Sequence, residues 1–214
     1  MANPTDICHP LFARMWTLLL SRGGEHAGAA EHRDELLAGL SGRIIEIGAG
    51  NGLNFRHYPA AVTEVVALEP EPYLRRRAEH AAAEAPVPVT VVAGVAAALP
   101  ADDGGFDAGV ASLVLCSVPD QAAALRELRR VIRAGGELRF YEHVVAHGGT
   151  AATVQRRLDR SGIWPHLGAG CHLARDTGAA IEDAGFIIER CRRFPFGPRA
   201  FQIPHILGSA RRPE

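Results

Sequence analysis

Apolar runs rich in β-branched residues alternate with helical patterns along the chain, and this alternation constrains the fold most strongly. Continuous apolar runs are typical of strands that are buried on both faces of a sheet. The clearest helical segment is 120–133, which Asp120 can cap and which Gly135 and Gly136 are expected to end. Strands that alternate with helices predict a parallel sheet with right-handed crossovers. The predicted strands are 43–48, 64–69, 87–93, 106–115, 137–144, 186–192 and 205–210.

The length of 214 residues predicts a single domain spanning 1–214, with a helical cap over 1–40 and a core over 41–214. The stretch 10–20 is apolar but short and contains Arg14, so we expect neither a signal peptide nor a stable membrane span. Its helical pattern indicates either a helix packed on the domain or a lid over a ligand. The apolar face of that helix would consist of Leu11, Phe12, Met15, Trp16, Leu18 and Leu19.

The charged residues are balanced, with 23 basic and 24 acidic side chains and a net charge of −1. This balance predicts no general attraction to nucleic acid or to anionic lipid. Every basic side chain is an arginine, so P-loop phosphate binding and Schiff-base chemistry, which need a lysine, are excluded. The surplus of Ala, Gly and Arg suggests a bacterial, G+C-rich coding sequence. The four cysteines form no CxxC pair, which favours a reducing cytoplasm.

A glycine-rich turn, EIGAGNG at 46–52, follows the first predicted strand. Glycines at the switch point of an open α/β sheet allow a tight turn and a close approach of the backbone to a ligand. Glu69 ends the next strand roughly 20 residues later, where a carboxylate can accept both hydroxyls of a ribose. Leu53 stands where a dinucleotide-binding turn would carry Gly or Ala, which disfavours a pyrophosphate on the helix N-terminus.

These motifs, together with R-x-G-G before the fifth strand, resemble class I S-adenosylmethionine-dependent methyltransferases of the type 11 branch. Three segments resemble the alkyl thiol methyltransferases more closely: 46–59 (EIGAGNGLNFRHYP), 113–145 (LVLCSVPDQAAALRELRRVIRAGGELRFYEHVV) and 170–175 (GCHLAR). The resemblance implies a Rossmann-like α/β fold. Its seven-stranded, mostly parallel sheet would carry helices on both faces, an antiparallel last strand and an N-terminal helical lid.

The resemblance also implies S-adenosylmethionine as the cofactor and S-adenosylhomocysteine as the product. The three glycines of the turn would hold the methionine part, Glu46 would orient the loop or the amino group, and Glu69 would bind the ribose. The apolar run 95–98 departs from relatives that carry a polar residue there, so adenine would be recognised by backbone and packing. The implied cofactor residues are Glu46, Gly48, Gly50, Gly52, Glu69, Pro70, Gly94, Val95, Leu115 and Cys116.

Methyl transfer from a sulfonium is an in-line displacement that needs mainly alignment and the exclusion of water. A thiol loses its proton with little help, whereas an alcohol or phenol needs a base. The chain lacks an Asp/Asn-Pro-Pro-aromatic motif after the fourth strand, so methylation of nucleic-acid bases is not expected. We therefore predict a small-molecule acceptor, with sulfur favoured over oxygen and nitrogen.

Five residues are predicted at the acceptor. His143, at the end of the fifth strand, and His172 are the candidate catalytic residues, although either could simply bond a neighbouring loop. Arg175 could hold an anionic substrate or lie on the surface at a helix N-terminus. Tyr58 and Trp164 are the expected aromatic residues of an apolar pocket.

No local metal-ligand spacing joins His143, Cys171 and His172, so the sequence predicts no metal. Two rival functions remain open. A NAD(P)-dependent oxidoreductase is disfavoured by the spacing after Gly52 and by the missing lysine of a Tyr-x-x-x-Lys pair. A non-catalytic S-adenosylmethionine-binding protein remains open because the sequence shows no obligatory base. The oligomeric state is not predicted.

Overall fold

The computed structural model describes Arg14, Thr17 and residues 28–168, 170–197 and 202–214. The apolar face of the predicted N-terminal lid lies outside these residues. Within them, no helix is both long enough and apolar enough to cross a membrane.

The described part of the chain forms one seven-stranded sheet with the strand order β3-β2-β1-β4-β5-β7-β6. The first five strands pair in parallel, and β7 runs antiparallel to both β5 and β6. This confirms the predicted mostly parallel sheet with an antiparallel last strand. The strands are β1 (Gly42–Ile47), β2 (Val62–Leu68), β3 (Val89–Val92), β4 (Phe106–Ser112), β5 (Ile132–His143), β6 (Ile187–Phe196) and β7 (Ile203–Arg211).

Helices cover both faces of the sheet, as the largely apolar strands predicted. Ile44 and Ile45 are neighbours on β1, yet they lie in different apolar cores because successive strand residues point to opposite faces. The helices are α1 (Ala30–Leu37), α2 (Pro72–Ala82), α3 (Gln121–Val131), α4 (Gly149–Arg160), α5 (Ile163–Leu167) and α6 (Thr177–Asp183), and a 3-10 turn covers Phe55–His57.

Three predicted strand boundaries differ from the structure by more than two residues. The fourth strand ends at Ser112 because Leu113 adopts a left-handed φ of 56°, which breaks the extended backbone. Gly135 and Gly136 lie in β5 rather than after helix α3, where the pairing of β5 with β4 shifts register. The sixth strand was predicted to end at residue 192, but β6 pairs with β7 as far as Phe196.

Candidate active site

The glycine turn, Glu69 and the loop after β4 lie at the carboxyl ends of the parallel strands, where open α/β sheets bind ligands. The backbone N–H of Gly50 donates to Oε2 of Glu69 (2.8 Å), and that of Glu71 donates to Oε1 (2.9 Å). One buried carboxylate, 5% exposed, therefore ties the glycine turn to the loop after β2. Its remaining lone pairs can still accept ribose hydroxyls.

The glycine turn fits close packing on one side and a ligand on the other. A Cβ on Gly48 would collide with the Val114 side chain, so the turn lies directly against the loop after β4. A Cβ on Gly50 would meet nothing within 4 Å, so this glycine borders open space beside Glu69. Open space next to a buried carboxylate and a run of turn backbone fits the ribose and amino-acid parts of S-adenosylmethionine.

The Gly48→Ala variant is expected to lose about 2–4 kcal/mol in free energy of unfolding. Its φ of 62° strains an alanine, and the new methyl group would overlap Val114. Gly39→Ala is the matched control, because Gly39 has a φ of 77° with open space around it. The control should lose only the backbone contribution, about 1 kcal/mol. Equal losses in urea unfolding of the two variants would show that contact with Val114 is unimportant.

Glu46 lies at the end of β1 with both oxygens bonded. The amide of Asn54 donates to its Oε1 (2.8 Å), and the hydroxyl of Tyr58 donates to its Oε2 (2.7 Å). Burial raises the pKa of Glu46 to about 7, although the two donors oppose the shift. The structure thus places Tyr58, predicted at the acceptor, in the core at 3% exposure and on Glu46.

The pH dependence of stability reports on the Glu69 carboxyl. Burial raises the pKa of Glu69 from its ordinary 4.5 to about 7, so the folded state holds more protons than the unfolded chain between these pH values. Wild-type stability should therefore fall relative to Glu69→Gln as the pH rises from 4.5 to 7, by up to about 3 kcal/mol. Urea unfolding of both proteins at several pH values measures this difference. Histidines that titrate in the same range contribute equally to both proteins, so their contributions cancel. A stability difference that stays constant with pH would contradict a raised pKa of the buried Glu69 carboxyl.

The remaining residues predicted at the adenine lie beyond Glu69. Pro70 follows it directly and is half-buried. A Cβ on Gly94 would press on the Leu68 side chain, so β2 and the segment after β3 are in close contact. Val95 is half-buried and forms an isolated bridge with Ala98. Gly94 and Val95 therefore lie just after the carboxyl end of β3, as Glu69 lies just after that of the neighbouring β2.

Glu142 binds the backbone of the loop after β4 and is absent from the residues predicted for the site. It is fully buried next to His143, and its Oε1 accepts the backbone N–H groups of Val114 (3.0 Å) and Leu115 (2.9 Å). Its Oε2 accepts the N–H of Cys116 (3.3 Å). Burial raises the pKa of Glu142, and these three donors oppose that shift. The available signal was the single acid in the segment 140–145 (FYEHVV).

His143 lies close to two cysteines from other parts of the chain. Its Nε2 is 3.0 Å from Sγ of Cys171, and the indole N–H of Trp164 donates to the same sulfur (3.2 Å). Sγ of Cys116, Nε2 of His143 and Sγ of Cys171 all lie within 4.8 Å of one another. The Cys116 thiol and burial raise the pKa of Cys171, so its thiol is protonated at neutral pH. Three separate segments supply this cluster, which is why sequence spacing did not show it.

Segment 170–175 is fixed against the loop after β4. The backbone N–H of His172 donates to the carbonyl of Cys116 (2.8 Å), and the guanidinium of Arg175 donates to that of Leu115 (2.6 Å). The ring of His172 is directed away, with Nδ1 3.7 Å from Asp159. His143 therefore adjoins Cys116 through its side chain, whereas His172 does so through its backbone.

Comparison with known proteins gives matches over most of the chain. Residues 45–140 match the protein family described as "Methyltransferase domain". The human protein named thiol S-methyltransferase TMT1B is 36% identical over 180 residues, covering 81% of this chain and 73% of its own length. These matches favour a methyltransferase over the nicotinamide-dependent alternative.

Solved structures share the fold at low sequence identity. The YcgJ protein from Bacillus subtilis has a TM-score of 0.71 at 16% identity, covering 89% of this chain and 99% of its own. The [4+2]-cyclase SpnF has a TM-score of 0.69 at 20% identity, covering 86% of this chain and 80% of its own. Because a cyclase shares the architecture, the fold alone does not decide the reaction.

Proposed function

Because the chain belongs to the class I S-adenosylmethionine-dependent methyltransferases, in the family that contains thiol S-methyltransferases, we propose that its methyl acceptor is a small-molecule thiol. When bound, S-adenosylmethionine supplies a methyl group on a sulfonium that a thiolate can displace. The observation that carries the choice of sulfur is the 36% identity to a thiol S-methyltransferase over 81% of the chain. The cluster around His143 supports it, since a thiol already lies 3.0 Å from its Nε2.

In this proposal some residues at the carboxyl end of the sheet contact the cofactor, and others hold those residues in position. Glu69 binds the ribose, the turn from Gly48 to Gly52 holds the methionine part, and Pro70, Gly94 and Val95 border the adenine. Glu46 acts on the turn indirectly, through its bonds to Asn54 and Tyr58. We therefore assign Tyr58 to positioning Glu46 rather than to contact with the acceptor.

The acceptor would be held on the side of the loop after β4. Leu115 and Cys116 are completely or almost completely buried and their backbone is fixed by Glu142, so they form a rigid wall. His143 offers the ring nitrogen nearest that wall and would hold the acceptor sulfur and receive its proton. Trp164 borders the same space through its bond to Cys171.

His172 and Arg175 are assigned lesser parts. The His172 ring faces Asp159, so its catalytic use would require it to turn toward the acceptor. The Arg175 guanidinium already binds the carbonyl of Leu115 and lies beside the wall, where it can attract a negatively charged acceptor.

We also propose a reducing compartment, the bacterial cytoplasm. Cys116, Cys171 and Cys191 carry free thiols, and the arginine-only basic residues are typical of G+C-rich bacterial genes. Thiol chemistry at the site needs the first two to remain reduced.

The test compares benzenethiol, phenol and aniline as acceptors, because they share one ring and differ in the accepting atom. With isotopically labelled methyl donor, we expect label in the thiol and none above the enzyme-free rate in phenol and aniline. Preferential labelling of phenol or aniline would overturn the thiol assignment and leave the methyltransferase family unaffected. Glu64→Ala is an active control variant that should label the thiol as the wild type does, because Glu64 is partly exposed on β2 and pairs with Arg43.

A further inference from the structure

Two thiols and one imidazole converge from three separate segments: Cys116 after β4, His143 at the end of β5, and Cys171 after α5. Sγ, Nε2 and Sγ lie within 4.8 Å of one another. Thiolate and imidazole are the ligands that zinc prefers, and two cysteines with one histidine is a ligand set of catalytic zinc sites. The distances need little adjustment, because tetrahedral zinc places its sulfur and nitrogen ligands about 3.6 Å apart and two sulfur ligands about 3.8 Å apart.

The backbones that carry these ligands are already fixed. The N–H of Cys116 donates to the carboxylate of Glu142, and the carbonyl of Cys116 accepts the N–H of His172. A Cβ on Gly170 would lie 2.9 Å from the carbonyl oxygen of Ser117, so only glycine allows this close approach of the two segments. The cluster is therefore preorganised, which is what a metal site requires of its protein.

The surroundings suit a bound metal ion as well. The indole N–H of Trp164 donates to Cys171 and could stabilise a thiolate there. Nε2 of His143 lies 3.0 Å from Sγ of Cys171, so it is the ring nitrogen directed at the cluster. Two thiolates would neutralise a divalent cation, so the largely buried site would carry no net charge before the acceptor binds.

We propose that Cys116, His143 and Cys171 bind a zinc ion whose fourth ligand is the sulfur of the acceptor thiol. This inference rests on the proposed function and refines the role of His143 from proton acceptor to metal ligand. On binding, the acceptor S–H bond breaks, its proton passes to solvent, and the sulfur coordinates zinc as a thiolate. A sulfur electron pair then forms the new bond to the methyl carbon, and the carbon–sulfonium bond breaks with its electron pair returning to the donor sulfur. The thioether product is a weak ligand and dissociates.

Cobalt(II) absorption tests the site independently of activity. The reduced full-length protein, freed of metal by a chelator, is titrated with cobalt(II), which shows thiolate-to-metal charge-transfer bands when cysteine binds it. We expect these bands at one cobalt per chain and their loss on adding zinc. The absence of bands, or their persistence in Cys116→Ser, Cys171→Ser and His143→Ala, would overturn the proposal.

The variants separate ligands from neighbours. Each ligand variant should weaken cobalt affinity by at least about 100-fold, and Trp164→Phe, which loses only the N–H donor, by about 10-fold. Cys191→Ser is the matched control, because Cys191 is exposed on β6 and should leave the bands unchanged. Circular dichroism and urea unfolding check that each variant is folded. Since Cys116 is fully buried, the half-buried Cys171 provides the variant that is safer for folding.

Activity then distinguishes the two proposals. If cobalt binds as expected but no thiol is methylated, the zinc site stands and the thiol function fails. If thiols are methylated equally with and without metal, and equally by Cys171→Ser, the thiol function stands and the catalytic zinc is overturned.

Discussion

Replacing Glu142 with alanine is expected to lower the free energy of unfolding by about 3–5 kcal/mol. The substitution leaves the N–H groups of Val114, Leu115 and Cys116 without their acceptor in a buried place. Each unsatisfied buried donor costs about 1–3 kcal/mol, and partial hydration of the loop reduces the sum. Urea unfolding followed by circular dichroism measures this loss.

Two further variants determine whether the carboxylate itself is responsible. Glu142→Gln keeps one oxygen that can accept from Val114 and Leu115, so it should lose less than Glu142→Ala. Glu189→Ala removes an exposed acid of β6 that pairs with the equally exposed Arg211 on β7, and it should lose no more than about 1 kcal/mol. If Glu142→Ala lost no more than Glu189→Ala, the loop after β4 would not depend on this carboxylate.

Replacing Glu69 with alanine is expected to weaken the binding of S-adenosylhomocysteine by about 5- to 150-fold. The variant loses charge-assisted bonds to the ribose, worth about 1–3 kcal/mol, and also the tie between the glycine turn and the loop after β2. Titration calorimetry measures the affinity directly.

Glu64→Ala is the matched control for Glu69, because Glu64 lies on β2, which Glu69 directly follows, but pairs with Arg43 away from the turn. Its affinity for S-adenosylhomocysteine should equal that of the wild type. Unchanged affinity in Glu69→Ala would remove this residue from the cofactor site and would leave the glycine turn to bind the ligand alone.

The sheet could be predicted from the sequence because its signals are local. The run 65–68 (VVAL) is apolar throughout, and a strand buried on both faces needs that composition. Asp120 was correctly predicted to cap α3, since its carboxylate accepts the N–H of Ala123 (2.8 Å). The boundary at Ser112 could not be predicted, because it depends on the left-handed backbone of Leu113. The next backbone N–H, that of Val114, donates to Glu142 on a different strand.

The candidate site shows the same contrast between local signals, which a sequence carries, and packing between distant segments, which it does not. Glu69 was predicted from its spacing from the glycine turn, which is a local signal. Its bond to Gly50 and the core position of Tyr58 depend on side-chain packing across strands. The convergence of Cys116, His143 and Cys171 depends on how three segments meet in space, and no spacing along the chain records it.

The most direct test of the central claim is the mass of the product. The full-length protein is incubated with benzenethiol and S-adenosylmethionine that carries a trideuterated methyl group, and the thioether is detected by mass spectrometry. The account predicts that the sulfide carries the intact deuterated methyl group in the wild type and that its yield falls sharply in Glu69→Ala. No deuterated thioether above the enzyme-free background would contradict the assignment of this chain as a thiol methyltransferase.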